Sequence, residues 1–104
     1  MLDIVHIIEL LNKNIKSLFS DFCGVYLYGS YANKTNSENS DIDMVALFNK
    51  KLTREQRLQL WTIVGNIEAE YDIILDLHLM NNEELRNNPI YYNQVVNKGI
   101  FYGI

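Results

Sequence analysis

Ile4, Ile7, Ile8, Leu11, Ile15, Leu18 and Phe19 recur at steps of three and four, with Glu9, Asn12, Lys13 and Lys16 falling between them. That period predicts an amphipathic first helix with one buried face. Gly24 punctuates its end, and the short apolar run Val25 to Tyr28 reads as a strand feeding a Gly29-Ser30 turn. Tyr31 to Asn39 is polar and predicts a short helical turn followed by a loop. Asp41 to Phe48 reads as a second strand. Thr53 and Gln56 stand in capping-box spacing ahead of Leu60, Trp61, Val64, Ile67 and Tyr71, which predicts a long helix from Arg54 to Tyr71. Ile73 to Leu79 follows as a third strand. Asn88-Pro89 supplies a cap and first-turn pair for a last helix ending near Lys98-Gly99, where the glycine suits a left-handed exit, and Ile100 to Tyr102 adds a short edge strand. Helices packed on a small mixed sheet place the chain in the α+β class.

With 104 residues, the chain is read as a single domain spanning 1–104, because independent domains below roughly 50 residues are rare. A hydrophobic fraction of 48% with 21% charged residues excludes a disordered chain. The net charge of −4, with its nine basic residues scattered, argues against a nucleic-acid binder working through a basic face. One cysteine, Cys23, and two histidines make a zinc site of the usual ligands unexpected. The amino terminus lacks the basic start of a secretory signal, and no run approaches the roughly 18 apolar residues of a membrane span. A cytoplasmic protein is expected.

The chemistry concentrates in the second and third strands. Asp41 and Asp43 are two residues apart, so on a strand they share a face at about 6–7 Å. Two ionised carboxylates so placed need a cation, or one of them must keep its proton. Asp76, inside the apolar run of the third strand, is the candidate third acid; Asp72, at the start of that run, is the alternative and suits a helix end or a solvent-facing position. Three acids beside a Gly-Ser turn suit phosphoryl or nucleotidyl transfer, in which two divalent ions about 3.5–4 Å apart neutralise triphosphate charge through hard carboxylate ligands. The Gly29-Ser30 turn would bring backbone N–H groups and one hydroxyl against the phosphates, an approach that only glycine allows. His78 shares the face of Asp76 and is expected to be a partly buried histidine satisfied by a backbone group. Lys34, Lys50, Lys51 and Arg54 flank the pocket and are expected to be solvated.

Gly29-Ser30-Tyr31-Ala32 followed by Ser40-Asp41-Ile42-Asp43 resembles the glycine-serine and Asp-x-Asp signature of the polymerase-beta-like nucleotidyltransferase superfamily. The whole chain resembles its smallest branch, the minimal nucleotidyltransferases (MNT). The resemblance implies the nucleotidyltransferase fold, Mg²⁺-dependent use of a nucleoside triphosphate, Asp41, Asp43 and Asp76 as metal ligands, and phosphate contacts at Gly29 and Ser30. Members commonly carry a glycine two residues after the motif alanine, where this chain has Lys34; Asn33 or Asn36 is the expected occupant of a left-handed turn there. MNT proteins resemble the antitoxin halves of toxin–antitoxin pairs whose partner is a helical HEPN toxin. By that resemblance the expected reaction moves AMP from ATP to a tyrosine hydroxyl of the toxin. So short a chain calls for an acceptor site completed by another protein or by self-association into a homo-oligomer. The competing readings are a module that neutralises a partner by contact alone, and a nucleotidyltransferase acting on a small molecule such as an aminoglycoside.

Overall fold

In the computed structural model, which describes residues 3–36 and 41–104, the first helix, α1 (Ile4–Leu18), starts where the side chain of Asp3 accepts a hydrogen bond from the His6 N–H. Its buried stripe is Ile7, Ile8, Leu11 and Ile15. Leu18 departs from the expected stripe and is 59% exposed, because the chain leaves the helix at Phe19, whose extended backbone swings its own ring into the core.

Strand β1 (Phe22–Tyr28) begins three residues earlier than expected. Gly24 does not end the helix but lies inside this strand at a register shift against the next one, with φ of 142°; a β-carbon there would strike the Tyr102 carbonyl and the Phe101 ring. After β1 come a four-residue helix, α2 (Ser30–Asn33), then β2 (Ile42–Phe48), α3 (Arg54–Tyr71) and β3 (Leu75–Asn81). The loop expected through Asn39, and Ser40 of the motif, lie partly or wholly outside the described residues. The capping box of α3 forms as expected, Gln56 N–H to Thr53 Oγ1 and Thr53 N–H to Gln56 Oε1. At its other end Asp72 adopts the left-handed conformation, φ 54°. Ile73 and Ile74 are therefore spent on the exit from the helix, the Ile73 N–H still bonding Glu68, and pairing of β3 begins only at Leu75.

β3 ends on Asn81, which also caps a helix that the periodicity did not predict, α4 (Asn82–Arg86); Asn81 and Glu84 form a second capping box. The expected last helix is divided. α5 (Pro89–Tyr92) starts under the Asn88 cap and gives way to a π-helical turn at Asn93–Asn97. Gly99 is not left-handed; it is small because a β-carbon would meet the carbonyls of Val95 and Leu27. β4 (Ile100–Gly103) closes the sheet.

The strand order is β3-β2-β1-β4, with β2 and β3 parallel and joined across α3, and the other pairs antiparallel. β2 is central, and its residues from Met44 to Phe48 are all buried, as befits a strand covered on both faces. One face packs Ile42, Met44, Ala46, Leu75 and Leu77 against α1 and α3. The other packs Tyr28, Val45 and Leu47 against Leu85, Val95 and the tyrosines of α5.

Candidate active site

The register of three strands puts Tyr28 opposite Asp43 and Asp43 opposite Asp76, one row across the end of the sheet where β1 stops and β2 and β3 begin. Opposed residues share a face, and Tyr28 fixes which: the face covered by α4 and α5. Asp43 sits between Ile42 and Met44, both buried on the other side, so the alternation of the strand aims its carboxyl into the row.

Asp43 and Asp76 face each other across the β2–β3 pair, and two ionised carboxylates so placed repel unless a cation lies between them or one keeps its proton. The Asp43 carboxyl is held above the ordinary carboxylate range, first by burial, then by the hydrogen bond and the charge of Asp76 and by the charge of Asp41; nearby His78 opposes the rise. Asp41 itself is exposed, one residue ahead of β2. The structure thus brings Asp43 and Asp76 together and leaves Asp41 at their rim. Asp72 closes α3, exposed, and takes no place in the row.

Gly29 forms the wall of the site. Its φ of 74° and ψ of −150° belong to a region essentially restricted to glycine, and a β-carbon there would collide with the Asp43 carboxylate. Ser30 opens α2, and the Asn33 N–H bonds back to the Gly29 carbonyl. The left-handed residue of this loop is neither Asn33, which is helical, nor Asn36; it is Lys34, with φ 58° and ψ 33°, the position at which the family pattern carries glycine. Lys34, Lys50, Lys51 and Arg54 are all exposed, as expected.

His78 is not satisfied by a backbone group. It is half-exposed, and its Nε2 lies 3.3 Å from Asp76 Oδ1. Its ring packs edge-on to Tyr91 at 6.1 Å, and the Tyr91 hydroxyl is 2.8 Å from that of Tyr28. Burial pushes both phenols up, and the acids add to the rise at each. Tyr28 and Tyr91 escaped the sequence reading. Period two places Tyr28 beside Asp43 once pairing is known, but Tyr91 reaches the site only through the α4 and α5 turns.

Among the described residues no Lys or Arg pairs with these acids, and no group of three or more acidic, histidine or cysteine side chains is gathered as a ready coordination shell. An acid pair short of positive charge, made of hard oxygen donors, fits a divalent cation such as Mg²⁺.

Residues 6–100 match the family model described as "Polymerase beta, Nucleotidyltransferase". A candidate protein adenylyltransferase of Methanocaldococcus jannaschii is 29% identical over 75 residues, covering 71% of this chain and 76% of that one. A crystal structure of a toxin–antitoxin with AMP-PNP is 30% identical and superposes with a TM-score of 0.64 over 99% of this chain and 75% of that chain. A mutant of the toxin–antitoxin MntA–HpeT is 27% identical, with a TM-score of 0.65 over the same shares.

Proposed function

The chain belongs to the polymerase beta nucleotidyltransferase family, and from that premise we propose that it transfers AMP from ATP to a tyrosine hydroxyl of a partner HEPN toxin and so acts as the antitoxin of that pair. The carrying observation is the Asp43–Asp76 carboxyl pair in register beside the Gly29 wall. The adenylyltransferase relative and the AMP-PNP-bound neighbour support adenosine triphosphate as the donor. The toxin–antitoxin neighbours support the class of partner.

In this reading Asp41, Asp43 and Asp76 hold Mg²⁺. When bound, Mg²⁺ offsets the charge of the triphosphate and makes the acceptor hydroxyl easier to ionise. The backbone at Gly29 and the Ser30 hydroxyl bind the phosphates and fix the α-phosphorus in line with the acceptor. The phenolic oxygen of the toxin forms a bond to that phosphorus, the bond to the β-phosphate oxygen breaks, and pyrophosphate leaves. The phenolic proton passes to the Asp76 carboxylate. Residues 1–104 act in this reading as one minimal nucleotidyltransferase domain. Among the described residues no helix is long and apolar enough to cross a membrane. The test is incubation of the chain and its toxin with Mg²⁺ and ATP labelled at the α-phosphate. Label on a toxin tyrosine is the expected result, and absence of label from every protein and small-molecule acceptor overturns the reading.

A further inference from the structure

We propose that His78 is a positioning residue that fixes the Asp76 carboxylate toward Asp43, and that Tyr91 and Tyr28 in turn fix His78. This inference rests on the nucleotidyl-transfer reading of the same acids and adds to it a part of the site that lies outside the three carboxylates.

The geometry is a closed ring of neighbours. Asp76 opposes Asp43 across the parallel β2–β3 pair, and the two carboxyls repel whenever both are ionised. Asp76 is half-exposed, so nothing on the solvent side prevents its carboxylate from turning away from that repulsion. His78, two residues along the same strand and on the same face, prevents it by presenting Nε2 to one oxygen, Oδ1, at 3.3 Å, which leaves Oδ2 for whatever lies between the acids. A half-exposed imidazole would itself be mobile, but here its ring meets the edge of Tyr91 at 6.1 Å, and the Tyr91 hydroxyl is tied at 2.8 Å to that of buried Tyr28. Tyr28 is the register partner of Asp43, which closes the ring. Outer partners of metal-ligating side chains commonly change metal affinity by about 10–100-fold when removed.

Binding of Mn²⁺ alone to the full chain, followed by electron paramagnetic resonance without nucleotide or turnover, tests the inference with His78→Ala, His78→Gln, Tyr91→Phe and Asp43→Asn. Gln can place an amide N–H near the position of Nε2. Expected are a loss of affinity of about 10–100-fold in His78→Ala at an unchanged melting temperature, recovery of most of it in His78→Gln, and a smaller loss in Tyr91→Phe. In transfer assays the His78→Ala defect should shrink as metal is raised to saturation, since the side chain touches no reacting atom. Wild-type affinity in His78→Ala while Asp43→Asn has lost binding overturns the role of His78 and leaves the acid site standing. Equal losses in His78→Ala and His78→Gln also overturn it, as does a loss matched by a fall in melting temperature. Binding that Asp43→Asn leaves intact removes the acid site itself and the inference with it.

Discussion

Replacing Gly29 by alanine adds one methyl group and should damage both fold and site. The native φ of 74° and ψ of −150° lie where only glycine is at ease, so the backbone alone costs about 1–3 kcal/mol. The new methyl also overlaps the Asp43 carboxylate, which must move off the row it shares with Asp76. For a domain of this size each kcal/mol is worth about 4–8 °C in melting temperature, so the backbone cost alone lowers it by roughly 4–24 °C. Gly65→Ala is the matched control. Gly65 lies within α3, and a β-carbon there meets nothing within 4 Å, so the same substitution removes the helix-interior penalty of glycine, about 1 kcal/mol, and raises the melting temperature by several degrees. Both are read by circular dichroism melts, with Mn²⁺ affinity measured on the Gly29 variant. A Gly29→Ala protein that melts with wild type and binds Mn²⁺ as tightly would refute the argument that this glycine makes room for Asp43.

Lys34→Gly should stabilise the chain by about 1 kcal/mol, because a non-glycine residue in the left-handed region carries a penalty of about 1–2 kcal/mol; chemical denaturation showing no gain would count against the strained loop exit. Asn81→Ala removes one half of the α4 capping box and should cost about 1 kcal/mol, measured the same way. Because the folded state holds the Asp43 proton more tightly than the unfolded chain does, its contribution is stabilising at low pH and fades as pH rises through its raised folded pKa. Metal-free Asp43→Asn should therefore gain melting temperature relative to wild type as pH climbs through that range, and a difference independent of pH would contradict the shift. Mg²⁺ with AMP-PNP should raise the wild-type melting temperature through binding to the native state, and do so far less in Asp43→Asn; identical melts with and without both would speak against a competent site.

Much of this fold could be read from local signals because they are strong and agree. The i, i+3, i+4 stripe marks the start and the buried face of α1, and the Thr53–Gln56 box with the period behind it delimits α3. The central strand announces itself by unbroken apolar residues after Asp43. What escaped was decided by tertiary geometry. Gly24 looks like a helix stop, yet it serves β1 because β4 passes where its β-carbon would stand. The Asn81–Glu84 capping box is a legible signal that the apolar period of β3 obscured, since the same asparagine ends one element and starts the next. The acids were visible as types and spacing, but only strand register makes Asp43 and Asp76 neighbours and leaves Asp41 at the rim. The shared face of His78 and Asp76 was legible from period two, whereas the place of Tyr91 beside them depends on how α5 folds back over the sheet, which no local pattern encodes.

The account stands on Asp43 and Asp76 acting as one unit. Intact-mass analysis of the proposed partner toxin after incubation with Mg²⁺, ATP and each of wild type, Asp43→Asn, Asp76→Asn and Asp72→Asn measures that unit directly. Added AMP with wild type and Asp72→Asn, and none with either of the other two, is the predicted outcome. Toxin modified as fully by Asp43→Asn or Asp76→Asn as by wild type would contradict it.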